Sequence, residues 1–182
     1  EFLMKKVAVF LAEGFEEIEA LTVVDIMRRA NVYCDMVAIK ELEVKGTHNI
    51  FVKADREFGE DLKDYDLIVF PGGLPGATNL RDDKRITDLA KYFYENNKLV
   101  AAICAAPIVL AKADIITGRN ITSYPGFEEE LKGCNYTENK VEVDGNIITS
   151  RGPATAMEFA YKLLEVLGEE SYKTISAGML YK

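Results

Sequence analysis

The feature that most constrains this chain is a set of short, wholly apolar runs separated by amphipathic stretches. Val7-Ala8-Val9-Phe10-Leu11, Leu67-Ile68-Val69-Phe70 and Leu99-Val100-Ala101-Ala102-Ile103 contain no polar residue. A strand with one wet face alternates polar and apolar residues, so a run apolar at every position reads as a strand buried on both faces. Residues 32–39 give a further strand. Residues 16–30 predict a helix, acidic at its start and basic at Arg28-Arg29, the polarity that the helix dipole favours. Residues 82–96 predict an amphipathic helix with Ile86, Leu89, Ala90 and Phe93 on one face, and residues 107–113 another helix. Two hairpins are expected, one with arms at 43–47 and 50–54 around His48-Asn49. The other has arms at 141–143 and 147–149 around Asp144-Gly145-Asn146. A last helix is expected from Thr155, where Thr155 and Glu158 have the spacing of a capping box, to Gly168. Strands that alternate with helices predict an α/β three-layer sandwich, with a mainly parallel sheet and helices on both faces.

Its 182 residues suit one domain. Glu1, Phe2 and Leu3 precede Met4-Lys5-Lys6 and read as a cloning scar, which leaves 4–182 as the expected domain. The formal charge of −8 argues against nucleic-acid binding, which needs clustered Lys and Arg. No apolar run approaches the roughly 20 residues of a membrane span. Three cysteines in unrelated contexts fit a reducing compartment better than a disulfide scaffold, so a cytoplasmic protein is expected.

Ligands of open α/β sheets bind beyond the carboxyl ends of the strands. The run 99–103 leads into Cys104-Ala105-Ala106-Pro107 and then a helix, the layout of a nucleophile elbow. Small neighbours permit a tight turn, Pro107 suits the first helical position, and a helix N-terminus beside the sulfur is expected to lower its pKa. On position alone, a buried structural cysteine remains open. Pro71-Gly72-Gly73 ends the run 67–70, and its glycines would let backbone N–H groups approach a ligand, although a simple turn has the same pattern. Glu19 shares a helix face with Val23, Ile26 and Ala30. Carboxylates rarely face a core unless paired, so Glu19 is either a surface residue of an acidic first turn or a partner for the sulfur. No metal-ligand cluster is legible, and no cofactor is expected.

Five segments together resemble the ThiJ/PfpI superfamily, in the branch of the parkinsonism-associated deglycase. They are Ala12-Glu13-Gly14-Phe15-Glu16-Glu17-Ile18-Glu19, Val24-Asp25-Ile26-Met27-Arg28-Arg29-Ala30 and Pro71-Gly72-Gly73. The others are Ala101-Ala102-Ile103-Cys104-Ala105-Ala106-Pro107 and Thr149-Ser150-Arg151-Gly152-Pro153-Ala154-Thr155. The resemblance implies a flavodoxin-like fold, a homodimer and an oxidation-sensitive nucleophile at Cys104. It puts a glutamate that bonds this cysteine at Glu19, and oxyanion-lining N–H groups at Gly73 and Ala105. Gly72, Tyr124, Pro153 and His48 are the further pocket candidates. Implied activities are cofactor-free glyoxalase and deglycase chemistry on small reactive carbonyl compounds, with redox sensing or chaperoning as alternatives.

One departure bears on mechanism. Tyr124 stands where the family commonly has histidine after the elbow, and the lone histidine, His48, stands where the deglycase relative has arginine. A Cys-His-acid protease triad in its usual form is therefore not expected. A phenol is a poor base at neutral pH, which shifts any base chemistry toward Glu19. Cys34 reads as a packed strand residue, and Cys134 as a loop residue open to exposure.

Overall fold

The computed structural model describes residues 4–182. The reading of residues 1–3 as a scar lies outside the described residues. In chain order the elements begin β1 (Lys6–Leu11), α1 (Glu17–Arg29), β2 (Tyr33–Ala38), β3 (Glu43–Lys45), β4 (Phe51–Lys53) and β5 (Arg56–Glu57). Next come β6 (Leu67–Phe70), α2 (Gly76–Arg81), α3 (Lys84–Glu95), β7 (Leu99–Ile103) and α4 (Pro107–Lys112). The chain finishes with β8 (Asn120–Ile121), β9 (Asn135–Tyr136), β10 (Val141–Asp144), β11 (Ile147–Ser150), α5 (Ala156–Val166) and α6 (Tyr172–Gly178).

Seven strands form one sheet in the order β10-β11-β7-β6-β1-β2-β5, parallel except for the β10–β11 hairpin at one edge. The apolar runs explain this arrangement, because each central strand feeds two cores. Val7, Val9 and Leu11 pack on one face with Val23, Ile26 and Met27 of α1 and Phe159 and Leu163 of α5. Ala8 and Phe10 pack on the other, with Leu80 of α2, Ile86, Leu89 and Phe93 of α3, and Val109 of α4. Period-two alternation thus loads both faces with apolar side chains. The expected α/β sandwich is the observed one. Among the described residues, no helix is long and apolar enough to cross a membrane.

Several local expectations need correction. The helix expected over 82–96 begins at Lys84, since the Asp83 side chain accepts the Arg85 N–H and caps it. A separate helix, α2, fills the stretch before it, where no helix was predicted. The hairpin of β3 and β4 pairs as expected but stands outside the main sheet. The capping box at Thr155 and Glu158 is absent from α5. The Thr155 hydroxyl instead accepts the Gly152 N–H at 3.1 Å and lies 2.7 Å from the Ser150 hydroxyl, tying the loop after β11 to its own strand. The chain also continues past Gly168 into α6, whose Tyr172 and Ile175 pack against the α1/α5 core. Cys134 is half-buried against the other core rather than open.

Candidate active site

Parallel strands point their carboxyl ends the same way, and the register of β6 with β7 decides what meets there. Phe70 pairs with Ala102, so the next positions bring Gly72 alongside Cys104. The Cys104 N–H donates to the Ser150 carbonyl of β11 at 3.0 Å, and its own carbonyl accepts the Tyr124 N–H at 3.0 Å. Held between these, Cys104 adopts φ +65°. That left-handed conformation is uncommon and costly for a residue with a side chain, and it lifts the sulfur out of the strand direction. The elbow read from the sequence is present.

Glu19 is fully buried at the start of α1. Its Oε1 accepts the Gly72 N–H at 2.9 Å, its buried Oε2 has no hydrogen-bond partner, and the carboxyl group lies beside the Cys104 thiol. The α1 N-terminus is fastened to the same segment by the Glu16 N–H, which donates to the Gly72 carbonyl at 2.8 Å. Glycine is required at position 72 because an added Cβ would lie 2.6 Å from both Cys104 Cβ and Glu19 Oε1. Gly73 has φ +86°, and a Cβ there would sit 2.5 Å from the Glu16 nitrogen. The N–H groups of Gly73 and Ala105 both point at the Cys104 sulfur.

Electrostatics correct one expectation. Burial pushes the Glu19 carboxyl up to about 7; the Cys104 hydrogen bond and the Gly72 N–H oppose this, and the Glu16 charge adds to it. The Cys104 thiol is not lowered. Burial and the adjacent Glu19 carboxylate drive it upward, against the weaker pull of the Ala105 and Gly73 N–H groups. Helix α4 is only six residues long and starts at Pro107, so the groups that reach the sulfur are those two amides rather than a long helix end. Burial also drives Cys34 up, to about 12, and raises Cys134.

The remaining candidates divide. Tyr124 is joined to the elbow through its backbone and its side chain is exposed; its ring lies along Gly152, where an added Cβ would be 3.4 Å from a ring carbon. Pro153 opens the short 3-10 turn after Gly152, on the same strand-end edge. His48 belongs to a different group. Its imidazole is exposed and engages Glu16 and Glu17 rather than the sulfur. Sequence reasoning missed this group, because nothing in the order of residues links a hairpin tip to the first turn of α1. A cleft of about 580 Å³ also avoids Cys104; it opens beyond β1 and β2, between Leu11, Ile39, Phe51 and Lys84.

Comparison with known proteins agrees with the fold and with the family resemblance. The chain is 37% identical over 183 residues to Protein dj-1beta of Drosophila melanogaster, covering 98% of both chains. It is 34% identical over 185 residues to the Parkinson disease protein 7 homolog of Danio rerio, again covering 98% of both. The crystal structure of Drosophila melanogaster DJ-1beta superposes with a TM-score of 0.94 at 36% identity, over 99% of this chain and 100% of that one. An oxidized DJ-1 from Toxoplasma gondii superposes at 0.91 with 37% identity, over 97% and 98% of the two chains. The model of the DJ-1/PfpI family matches residues 5–166, nearly the full length of the sheet and its helices, and the chain belongs to that family.

Proposed function

We propose that the protein is a cofactor-free enzyme of the glyoxalase or deglycase type, acting on 2-oxoaldehydes or their adducts. Cys104 is the nucleophile and Glu19 the proton shuttle. The observation that carries this reading is a fully buried Glu19 carboxyl, one oxygen of which has no hydrogen-bond partner, beside a sulfur on a left-handed elbow. An unpaired buried carboxylate oxygen is costly, and it is tolerated where a reaction uses it.

With methylglyoxal as substrate, the steps balance as follows. The thiol proton passes to Glu19 as the sulfur bonds to the aldehyde carbon, and the carbonyl electrons move onto oxygen. The N–H groups of Gly73 and Ala105 stabilise that oxyanion until it is protonated to the hemithioacetal. Glu19, ionised again, removes the proton from this carbon to give an enediolate and returns it to the neighbouring carbon, while the hydroxyl proton passes from the first oxygen to the second; the hemithioacetal becomes a thioester of a 2-hydroxy acid. Water then cleaves the thioester, releasing lactate and the free thiol. A carboxyl with pKa about 7 is suited to both proton transfers, because it gives and takes a proton at similar cost near neutral pH. Tyr124 can donate a hydrogen bond but is a poor base, so no protease-type triad is invoked.

Lactate production from methylglyoxal by the purified protein tests the assignment. Cys104→Ser should abolish turnover, and a variant that keeps the wild-type rate rules the mechanism out. A homodimer in the cytoplasm goes with this reading, and light scattering measures the former.

A second reading, a redox sensor in which Glu19 stabilises an oxidised Cys104 without turnover, is favoured by the Tyr124 substitution. Mild peroxide should then add two oxygens to Cys104 alone; equal oxidation of all three cysteines would exclude it.

A further inference from the structure

The junction of α1 with the β3–β4 hairpin brings together three ligand-type side chains that the proposed chemistry does not use. We propose that Glu16, Glu17 and His48 form a binding site for a divalent first-row metal ion of the zinc class. Glu16 and Glu17 are more than nine-tenths buried, whereas the His48 side chain is 68% exposed. His48 Nδ1 lies 3.2 Å from Glu16 Oε1 and 3.1 Å from Glu17 Oε1. One Nδ1 proton shared between two carboxylate oxygens bonds each only weakly, whereas one cation can bind all three atoms. Those separations approach the edge, about 3.3 Å, of a tetrahedron of nitrogen and oxygen ligands around zinc.

The carboxylates are held in place from behind. Glu17 Oε2 accepts the His48 N–H at 2.8 Å and the Ile50 N–H at 3.3 Å. Glu16 Oε2 accepts the Glu19 N–H at 3.0 Å. The shorter outer hydrogen bonds fall on the Oε2 atoms; Glu17 Oε1 shares the His48 N–H at 3.2 Å, and both Oε1 atoms lie beside the imidazole, the kind of support that outer-shell partners give to metal ligands. Gly46 makes the approach possible, since a Cβ there would lie 2.4 Å from Glu17 Cδ. The exposed imidazole leaves an entry path and a fourth position for water. A mixed imidazole and carboxylate set of three favours zinc-like ions over calcium or magnesium, which require more oxygen ligands. No side-chain atom of the Cys104–Glu19 pair is a ligand.

The test uses the full chain with Zn²⁺ as the probe, in competition with a chromophoric chelator. Wild type and Cys104→Ser should each bind one equivalent with equal affinity, while His48→Ala and Glu16→Gln should bind at least about 10-fold more weakly. X-ray absorption at the zinc edge should show nitrogen and oxygen at about 2.0–2.1 Å and no sulfur at about 2.3 Å. Retention of affinity in His48→Ala overturns the site, as does its loss in Cys104→Ser with a sulfur shell, or wild-type binding weaker than about 100 μM. His48 is on the surface, so its variant decides the outcome even if Glu16→Gln fails to fold.

Discussion

Cys34 and Cys104 are both close to the sheet and both have thiols pushed upward by burial, yet their surroundings differ in kind. Cys34 sits inside β2 in regular pairing with Val7 of β1, its side chain packed into the α1/α5 core. Cys104 lies one residue beyond β7, at φ +65°, with Glu19 and two amide N–H groups directed at its sulfur. The difference teaches that burial alone makes a cysteine inert. Chemistry requires the backbone to leave the strand, so that donors and a proton acceptor can converge on the sulfur.

Alkylation rates give the largest expected contrast. Cys34 is packed in the core with no proton acceptor directed at it, whereas Glu19 can take the Cys104 proton, so Cys34 should react with iodoacetamide at least about 1,000-fold more slowly than Cys104 in the folded protein. Peptide mapping over time measures both, and comparable rates would erase the distinction. Next in size, Gly72→Ala should lower turnover by about 100-fold, because the new Cβ displaces Cys104 and Glu19 together. Steady-state kinetics on a variant shown to be folded would check this; an unchanged rate would mean that the sulfur does not need that geometry.

The pH dependence sharpens the comparison further. The first proton to leave the Glu19–Cys104 pair departs near pH 7, and the singly protonated pair that remains is the reactive form. Cys104 reactivity should therefore rise through pH 7 and level off above it. In Glu19→Gln that inflection should disappear, while Cys34 stays unreactive across the range in both proteins. A rate that falls between pH 6 and 8 would contradict the assignment. The smallest effect is expected from Cys34→Ala, which removes a buried sulfur from the core. Turnover should stay within about 2-fold, with a stability loss of about 1 kcal/mol on denaturant unfolding.

Much of this architecture was legible because it depends on local pattern. The apolar runs at 7–11, 67–70 and 99–103 could only be strands covered on both sides, and the order of strand and helix followed. Cys104 stood out because small residues and a proline bracket it, and Glu19 because it shares a helix face with Val23 and Ile26. The misreadings have a common cause. Asp82 could extend the α3 pattern, but the side chain of Asp83 caps that helix; Thr155 had the capping spacing, but the Gly152 N–H and the Ser150 hydroxyl took up its own hydroxyl.

The sequence by itself determined the sheet, its two cores and which cysteine and glutamate to examine as a pair, since periodicity and turn chemistry are properties of neighbours along the chain. Only the tertiary structure decided the direction in which the Cys104 thiol titrates, and that Glu16, Glu17 and His48 would meet. Both depend on desolvation and on distances between segments some 30 to 85 positions apart in the chain, which are fixed when the sheet register closes and not before.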